Sequence, residues 1–243
     1  MVTDCKNCWL RKQPVFLSMS EDELVFMHEF KTGELEVDAG ATLMLEGSNS
    51  PQLFTVLEGM GLRYKTLEDG ERQVISFVMP GDFIGLQAGV MQEMQHSVES
   101  TTPMKLCVFD RRSLWRLFKD HPERAYDLTW LAALEEHFLG EHLAVVGRMP
   151  AEQRLATGIL RLYDRAVSLG LTEGPWMKLP YTQKDLADAL GLSVVHTNKT
   201  LKRLRDRRIV NWKNGDMEIL DYDRLSEMAH VDPAEGMRQR PLI

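Results

Sequence analysis

The chain has 243 residues, 44% hydrophobic and 27% charged, with 29 Lys and Arg against 36 Asp and Glu for a net charge of −7. That length predicts two domains, each able to bury a core, and the lack of any apolar run of about 18 residues excludes a helical membrane span. No signal-peptide pattern opens the chain, so a cytoplasmic protein is expected, and three cysteines, an odd number, argue against a disulfide framework.

The total charge hides an asymmetry. Residues 1–147 hold 13 Lys and Arg against 23 Asp and Glu, a balance of −10, whereas 148–243 hold 16 against 13, a balance of +3. Only the second part suits a phosphate backbone.

In chain order, residues 1–20 form a cysteine segment in which Cys5 and Cys8 make a C-x2-C step, a natural bite for two thiolates on one metal. The bland alternative is that the first dozen residues are frayed. Residues 21–121 are then punctuated by glycines, with β-rich runs at Leu53–Leu57, Gly61–Lys65, Gln73–Val78 and Met104–Phe109 and a hairpin turn at Glu68-Asp69-Gly70. Many short strands with regular turns predict an antiparallel sandwich or barrel. Cys107 lies in the last of these strands, where a thiol is also an ordinary small core residue. His96 is the only histidine from Phe30 to Arg111, so the His-x-His and carboxylate set of a β-barrel metalloenzyme is missing, and no enzyme is expected.

Residues 122–147 read as one long helix in which Leu128, Leu131, Glu135, Phe138, His142 and Val145 recur at alternating three- and four-residue steps. That spacing predicts a coiled-coil seam and a homodimer, the alternative being a helix packed on its own β-domain.

The domain at 148–230 carries the most specific pattern. Thr182 with Asp185 three residues on resembles a capping box, Leu186, Ala187 and Leu190 form an apolar stripe, and Gly191 offers a left-handed stop. Leu192 plugs the angle and Ser193 caps a second helix whose Leu201 and Leu204 face inward. Val194, Val195, His196, Asn198, Lys199, Lys202 and Arg203 then face outward, with Arg205, Arg207 and Arg208 beyond. From Thr182 to Arg208 seven Lys or Arg stand against three Asp, which suits double-stranded DNA. Val195 suits a thymine methyl, Asn198 an adenine edge and Lys199 a guanine edge. Two short apolar runs, Ile209–Trp212 and Met217–Leu220, flank Lys213-Asn214-Gly215-Asp216 and predict a hairpin wing. The tail, 231–243, lacks periodicity and is expected to dangle.

The expected fold is therefore α+β: an N-terminal antiparallel β-roll, a long dimerisation helix and a C-terminal winged helix-turn-helix. This order resembles the Crp/Fnr family of bacterial transcription regulators over essentially the whole chain. The residues that carry the resemblance are Val56-Leu57-Glu58-Gly59, the Glu68-Asp69-Gly70 turn, Pro80-Gly81-Asp82-Phe83-Ile84-Gly85 and the Thr182–Val210 helix pair. The resemblance implies a cyclic-nucleotide-binding-like sensor, a homodimer on near-palindromic DNA and contact with RNA polymerase. A regulator sensing some other small molecule, or a regulatory subunit acting through protein contacts, are the alternatives.

An effector pocket is implied at Gly85, Leu86, His96 and Ser97. Cyclic-AMP-binding members place Glu and Arg where Leu86 and His96 stand here, and neither replacement holds a ribose hydroxyl or a phosphate in the same way, so cyclic AMP is disfavoured. In the oxygen-sensing Fnr branch, N-terminal cysteines and one cysteine of this strand ligate a [4Fe-4S] cluster, which maps onto Cys5, Cys8 and Cys107. The remaining cysteine of that pattern would fall at Pro14. Four outcomes stay open: an iron-sulfur cluster with an unusual ligand such as His28, a zinc site, a thiol redox switch, or no metal.

Overall fold

The computed structural model describes residues 3–229 and 239–243. The chain divides into two compact units, Met1–Glu136 with Gln239–Ile243, and His137–Arg238.

The first unit opens with two single turns of 3-10 helix, Cys5–Asn7 and Trp9–Lys12. Helix α1 (Glu21–Phe30) follows, and strands β1 (Lys31–Val37), β2 (Thr42–Met44), β3 (Gln52–Glu58), β4 (Gly61–Thr66), β5 (Arg72–Val78) and β6 (Phe83–Ile84) lead to helix α2 (Leu86–Met91). Strands β7 (Ser97–Ser100) and β8 (Met104–Asp110), helix α3 (Leu114–Asp120) and the start of helix α4 (Pro122–Arg148) complete it.

The strands form two antiparallel four-stranded sheets, in the orders β1-β8-β3-β6 and β2-β7-β4-β5. Their inner faces share one core, in which Met44, Val78 and Val98 of one sheet meet Phe54, Val56, Leu106 and Val108 of the other. In β5 the buried residues are Val74, Ser76 and Val78, the period of two that puts alternate side chains on one face. Truncating a residue such as Leu106, which is fully buried, is worth about 2–5 kcal/mol.

The four β-rich runs correspond to β3, β4, β5 and β8. Strand β1 escaped the sequence reading because its segment, KTGELEV, alternates Leu35 and Val37 with glutamates around a glycine instead of forming an apolar run. It is an edge strand held by β8, with Glu34 opposite Cys107.

The N-terminal segment is not frayed. Leu10 is fully buried and Phe16 nearly so, and the Trp9 indole donates to the Leu57 carbonyl at 3.2 Å. A capping box of Ser20 and Glu23 starts α1, whose Phe30 stacks on Phe109 with centroids 5.2 Å apart.

The tail is not loose throughout either. Residues 230–238 lie outside the described residues, but Leu242 and Ile243 are buried against the β-roll because two aliphatic side chains leave water there.

The second unit continues α4 and adds α5 (Ala151–Ser168), β9 (Thr172–Glu173), β10 (Trp176–Lys178), α6 (Gln183–Leu190), α7 (Val194–Asp206), β11 (Val210–Lys213), β12 (Asp216–Ile219) and α8 (Tyr222–Ala229). Helix α5 buries Leu155, Ile159, Leu160 and Leu162 along one face. The wing is wider than its hairpin, since β10 pairs with β12 in a four-stranded sheet ordered β11-β12-β10-β9.

Along helix α4 the residues of the expected seam differ in exposure. Leu128 and Val145 are 1% exposed, covered by their own units, and Leu131, Phe138 and His142 are partly covered. Glu135 pairs with Arg63 of β4. The stripe left open lies one residue over: Ala132, Ala133, Glu136, Leu139, Gly140 and Leu143, with Leu143 73% exposed. Adjacent helical residues sit about 100° apart, so α4 carries two neighbouring apolar stripes, and only packing decides which one the chain covers itself. Among the described residues no helix is long and apolar enough to cross a membrane.

Candidate nucleic-acid interface

Helices α6 and α7 are joined as their sequence predicts. The Thr182 hydroxyl accepts from the Asp185 amide at 3.1 Å and the Asp185 carboxylate accepts from the Thr182 amide at 2.7 Å. Gly191 closes α6 in the left-handed region (φ 61°), the Leu192 amide donates to Ala187 at 3.0 Å, and the Ser193 hydroxyl accepts from the His196 amide at 3.2 Å. All four orphan amides at a helix start need partners, and these caps supply part of them from side chains.

The inner face of α7 is Thr197, Thr200 and Leu204, each fully buried, with Leu201 partly so. The two threonines were not singled out from sequence because a hydroxyl at helical spacing gives no apolar signal. Their small size lets α7 sit close to its neighbours.

Exposed on the other side are Val194, Val195, His196, Asn198, Lys199, Lys202 and Arg205. Val195 is 66% exposed, an apolar side chain on a first turn turned largely to solvent. Arg203 differs from expectation in its partners. Its guanidinium lies 3.5 Å from Glu152 at the start of α5 and donates to Thr200 at 3.2 Å, and Arg207 pairs with the same Glu152. Arg203 therefore serves partly to seat α7 on α5.

Arg154, unremarked in the sequence, buttresses the turn. It donates to the Met149 carbonyl at 2.7 Å and to the Leu190 and Gly191 carbonyls at 3.3 and 3.4 Å. Its separation of 36 residues from Leu190 leaves no local pattern to find it by. Beyond α7, β11 and β12 pair Lys213 with Asp216, and the turn residues Asn214 and Gly215 both have positive φ, 55° and 81°. That is the geometry for which Asn-Gly is selected in tight hairpins.

In the first unit the positions of the implied effector pocket have a different character. Gly85 leads into α2 with φ 98°, and Leu86 is partly buried. His96 is pushed down to about 4, by burial first and then by the nearby Arg63 cation, so it is neutral at physiological pH. Ser97 is buried and its hydroxyl accepts from the Glu46 amide at 3.0 Å. Arg63 itself donates to the Phe83 carbonyl at 3.0 Å and is paired with Glu135. An aliphatic chain and a neutral imidazole therefore stand where a ribose hydroxyl and a phosphate would need a carboxylate and a guanidinium.

The three cysteines do converge. Cys5, Cys8 and Cys107 are free, buried, and line one small cavity with Lys31, Leu242 and Ile243. Burial pushes the Cys107 thiol up to about 12, against the pull of the Lys31 ammonium, and burial raises Cys5 as well. A four-iron cubane does not fit this arrangement. It wants four thiolates as a rule, and the cavity, about 20 Å³, has room for about one water. His28, the candidate fourth ligand, is half-exposed, with its Nδ1 3.9 Å from Asp4. Among the described residues no group of three His, Cys, Asp or Glu is disposed to hold a metal ion.

Residues 153–228 match the Crp-like helix-turn-helix domain and residues 34–121 match the cyclic nucleotide-binding domain. The chain is similar to the nitrogen fixation regulation protein FixK of Rhizobium meliloti, 30% identical over 70% of this chain and 74% of that protein. It is also similar to the transcriptional activator protein FnrL of Cereibacter sphaeroides, 27% identical over 96% of this chain and 94% of that one. In fold it resembles FixK2 from Bradyrhizobium japonicum, with a TM-score of 0.73 over 82% of this chain and 98% of that chain at 24% identity. A β-roll followed by a long helix and a winged helix pair with an open basic face, shared along nearly the full length with such regulators, places the chain in the Crp/Fnr family of DNA-binding transcription regulators.

Proposed function

We propose that the protein acts as a homodimer, pairing through the open stripe of α4 and setting α7 of each protomer into successive major grooves of a near-palindromic promoter element. The observation that carries this reading is the outer face of α7, where Val195, Asn198 and Lys199 stand exposed on a helix whose other face is locked into its domain. The early residues meet base edges and the later cations meet phosphates. It works in the cytoplasm by binding, without catalysis, and contacts RNA polymerase as an activator, in keeping with relatives named as transcriptional activators in Cereibacter sphaeroides and Rhodopseudomonas palustris. Gel-shift titration with genomic promoter fragments tests it. A discrete complex of two chains per site supports the reading, and a monomer that ignores every fragment at low salt refutes it.

The signal is read at the three-thiol cavity and not at a cyclic-nucleotide subsite. What supports this is the convergence of Cys5, Cys8 and Cys107 from segments about a hundred residues apart and, separately, a neutral His96 at the position that the family resemblance gives to the phosphate. A resident iron-sulfur cluster is not part of the proposal, because the cavity does not fit one. Promoter affinity measured before and after hydrogen peroxide, and with and without cyclic AMP, separates the two. A response to cyclic AMP with none to peroxide overturns the thiol reading.

A further inference from the structure

The β-roll holds a peptide. Gln239–Ile243 belongs by its contacts to the first unit although 102 residues of the second unit precede it in the chain. The Gln239 side-chain amide (Nε2) donates to the Pro14 carbonyl at 2.9 Å. Arg240 joins Phe16 in a parallel bridge, its amide donating to Val15 at 2.8 Å while its carbonyl accepts from Leu17 at 2.9 Å. Its guanidinium lies over the Phe16 ring, 5.1 Å from the centroid, and reaches Asp82 at 3.2 Å and the Pro80 carbonyl at 3.3 Å. The Thr55 hydroxyl donates to the Ile243 carbonyl at 2.6 Å.

This is a built site. Pro14–Leu17 of the N-terminal segment, Thr55 of β3 and the Pro80-Gly81-Asp82 turn all supply partners of the peptide. Gly81 is part of it, because a Cβ there would lie 2.3 Å from the Phe16 ring and 3.0 Å from the Arg240 guanidinium. Leu242 and Ile243 are 2% and 4% exposed, and both line the cavity of the three thiols.

We propose that Gln239–Ile243 is a lid on the thiol cavity: a pentapeptide of the chain itself, docked on the β-roll through one arginine and two aliphatic residues, that keeps Cys5, Cys8 and Cys107 dry and unreactive. A thiol reacts as its thiolate, and a buried thiol beneath two aliphatic side chains is both protonated and sterically covered. Departure of the lid admits water beside Lys31 and Arg11, cations that favour the thiolate once it is solvated. The lid is a separate matter from what modifies the thiols in the cell, so its failure in the test below leaves the DNA-binding reading intact.

The test is the rate at which N-ethylmaleimide labels the three cysteines in the full-length reduced protein, read by mass spectrometry. Arg240→Glu reverses the charge facing Asp82, and Thr55→Val removes only the hydroxyl bond to Ile243. Both should speed labelling, Arg240→Glu by about tenfold or more, since local opening then replaces a docked state. A chain lacking 239–243 should label fastest, and the free peptide Gln-Arg-Pro-Leu-Ile added in trans should slow it again. Labelling of the wild type as fast as that of Arg240→Glu overturns the proposal. So does a folded truncated chain, by its thermal transition, whose labelling the peptide leaves unchanged.

Discussion

Lys199 stands exposed two turns into α7 with its amine free to reach a groove, while Thr200 beside it is buried and anchors the helix. Lys199→Ala should cost about 1–3 kcal/mol at the preferred promoter site and relax discrimination at one base pair, with little change in thermal stability. Fluorescence anisotropy on a set of single-base variants measures both. His96 makes a prediction of another kind. Its ordinary value of 6.5 falls to about 4 in the fold because burial and Arg63 oppose the charged imidazolium, which Glu135, Glu46 and Lys65 modulate. The unfolded chain therefore binds the proton more readily, so this contribution is complete above pH 6.5 and is lost as pH falls towards 4, by at most about 3 kcal/mol. Urea titrations of the wild type and His96→Gln across that window should converge as the pH falls.

At the scale of elements, the α6–α7 pair was readable because its information is local: a cap, a stripe, a left-handed stop and a second cap, all within 25 residues. The open stripe of α4 was not, since two apolar stripes run side by side and a sequence carries no record of which one its own domain covers. Leu128 and Val145 answer to internal packing, whereas Leu139 and Leu143 stand exposed and are the residues the proposed dimer would cover. Leu143→Glu should hence shift the protein towards monomer, by a factor of ten or more on the order of a lost buried leucine, without lowering the monomer's melting temperature. Leu128→Glu should instead unfold the first unit. Analytical ultracentrifugation with circular dichroism distinguishes these outcomes, and a dimer unaffected by Leu143→Glu would place the interface elsewhere.

For the molecule as a whole, the net charge of −7 conceals a basic second part, and salt should expose it. The logarithm of promoter affinity should fall linearly with the logarithm of salt concentration, and Lys202→Ala should reduce the slope by about 1 per half-site if that amine neutralises one phosphate. An unchanged slope between 50 and 200 mM would remove Lys202 from the phosphate contacts. What the amino-acid order determined by itself was whatever depends on near neighbours: the helix pair and its caps, the Asn-Gly wing, the β-rich runs of the roll and the partition of charge. Tertiary structure alone decided that three distant cysteines line one small cavity, that Arg203 leans on Glu152, and that Leu242 and Ile243 line that same cavity. Those outcomes turn on burial and on contacts between residues far apart in the chain, where no spacing rule reaches.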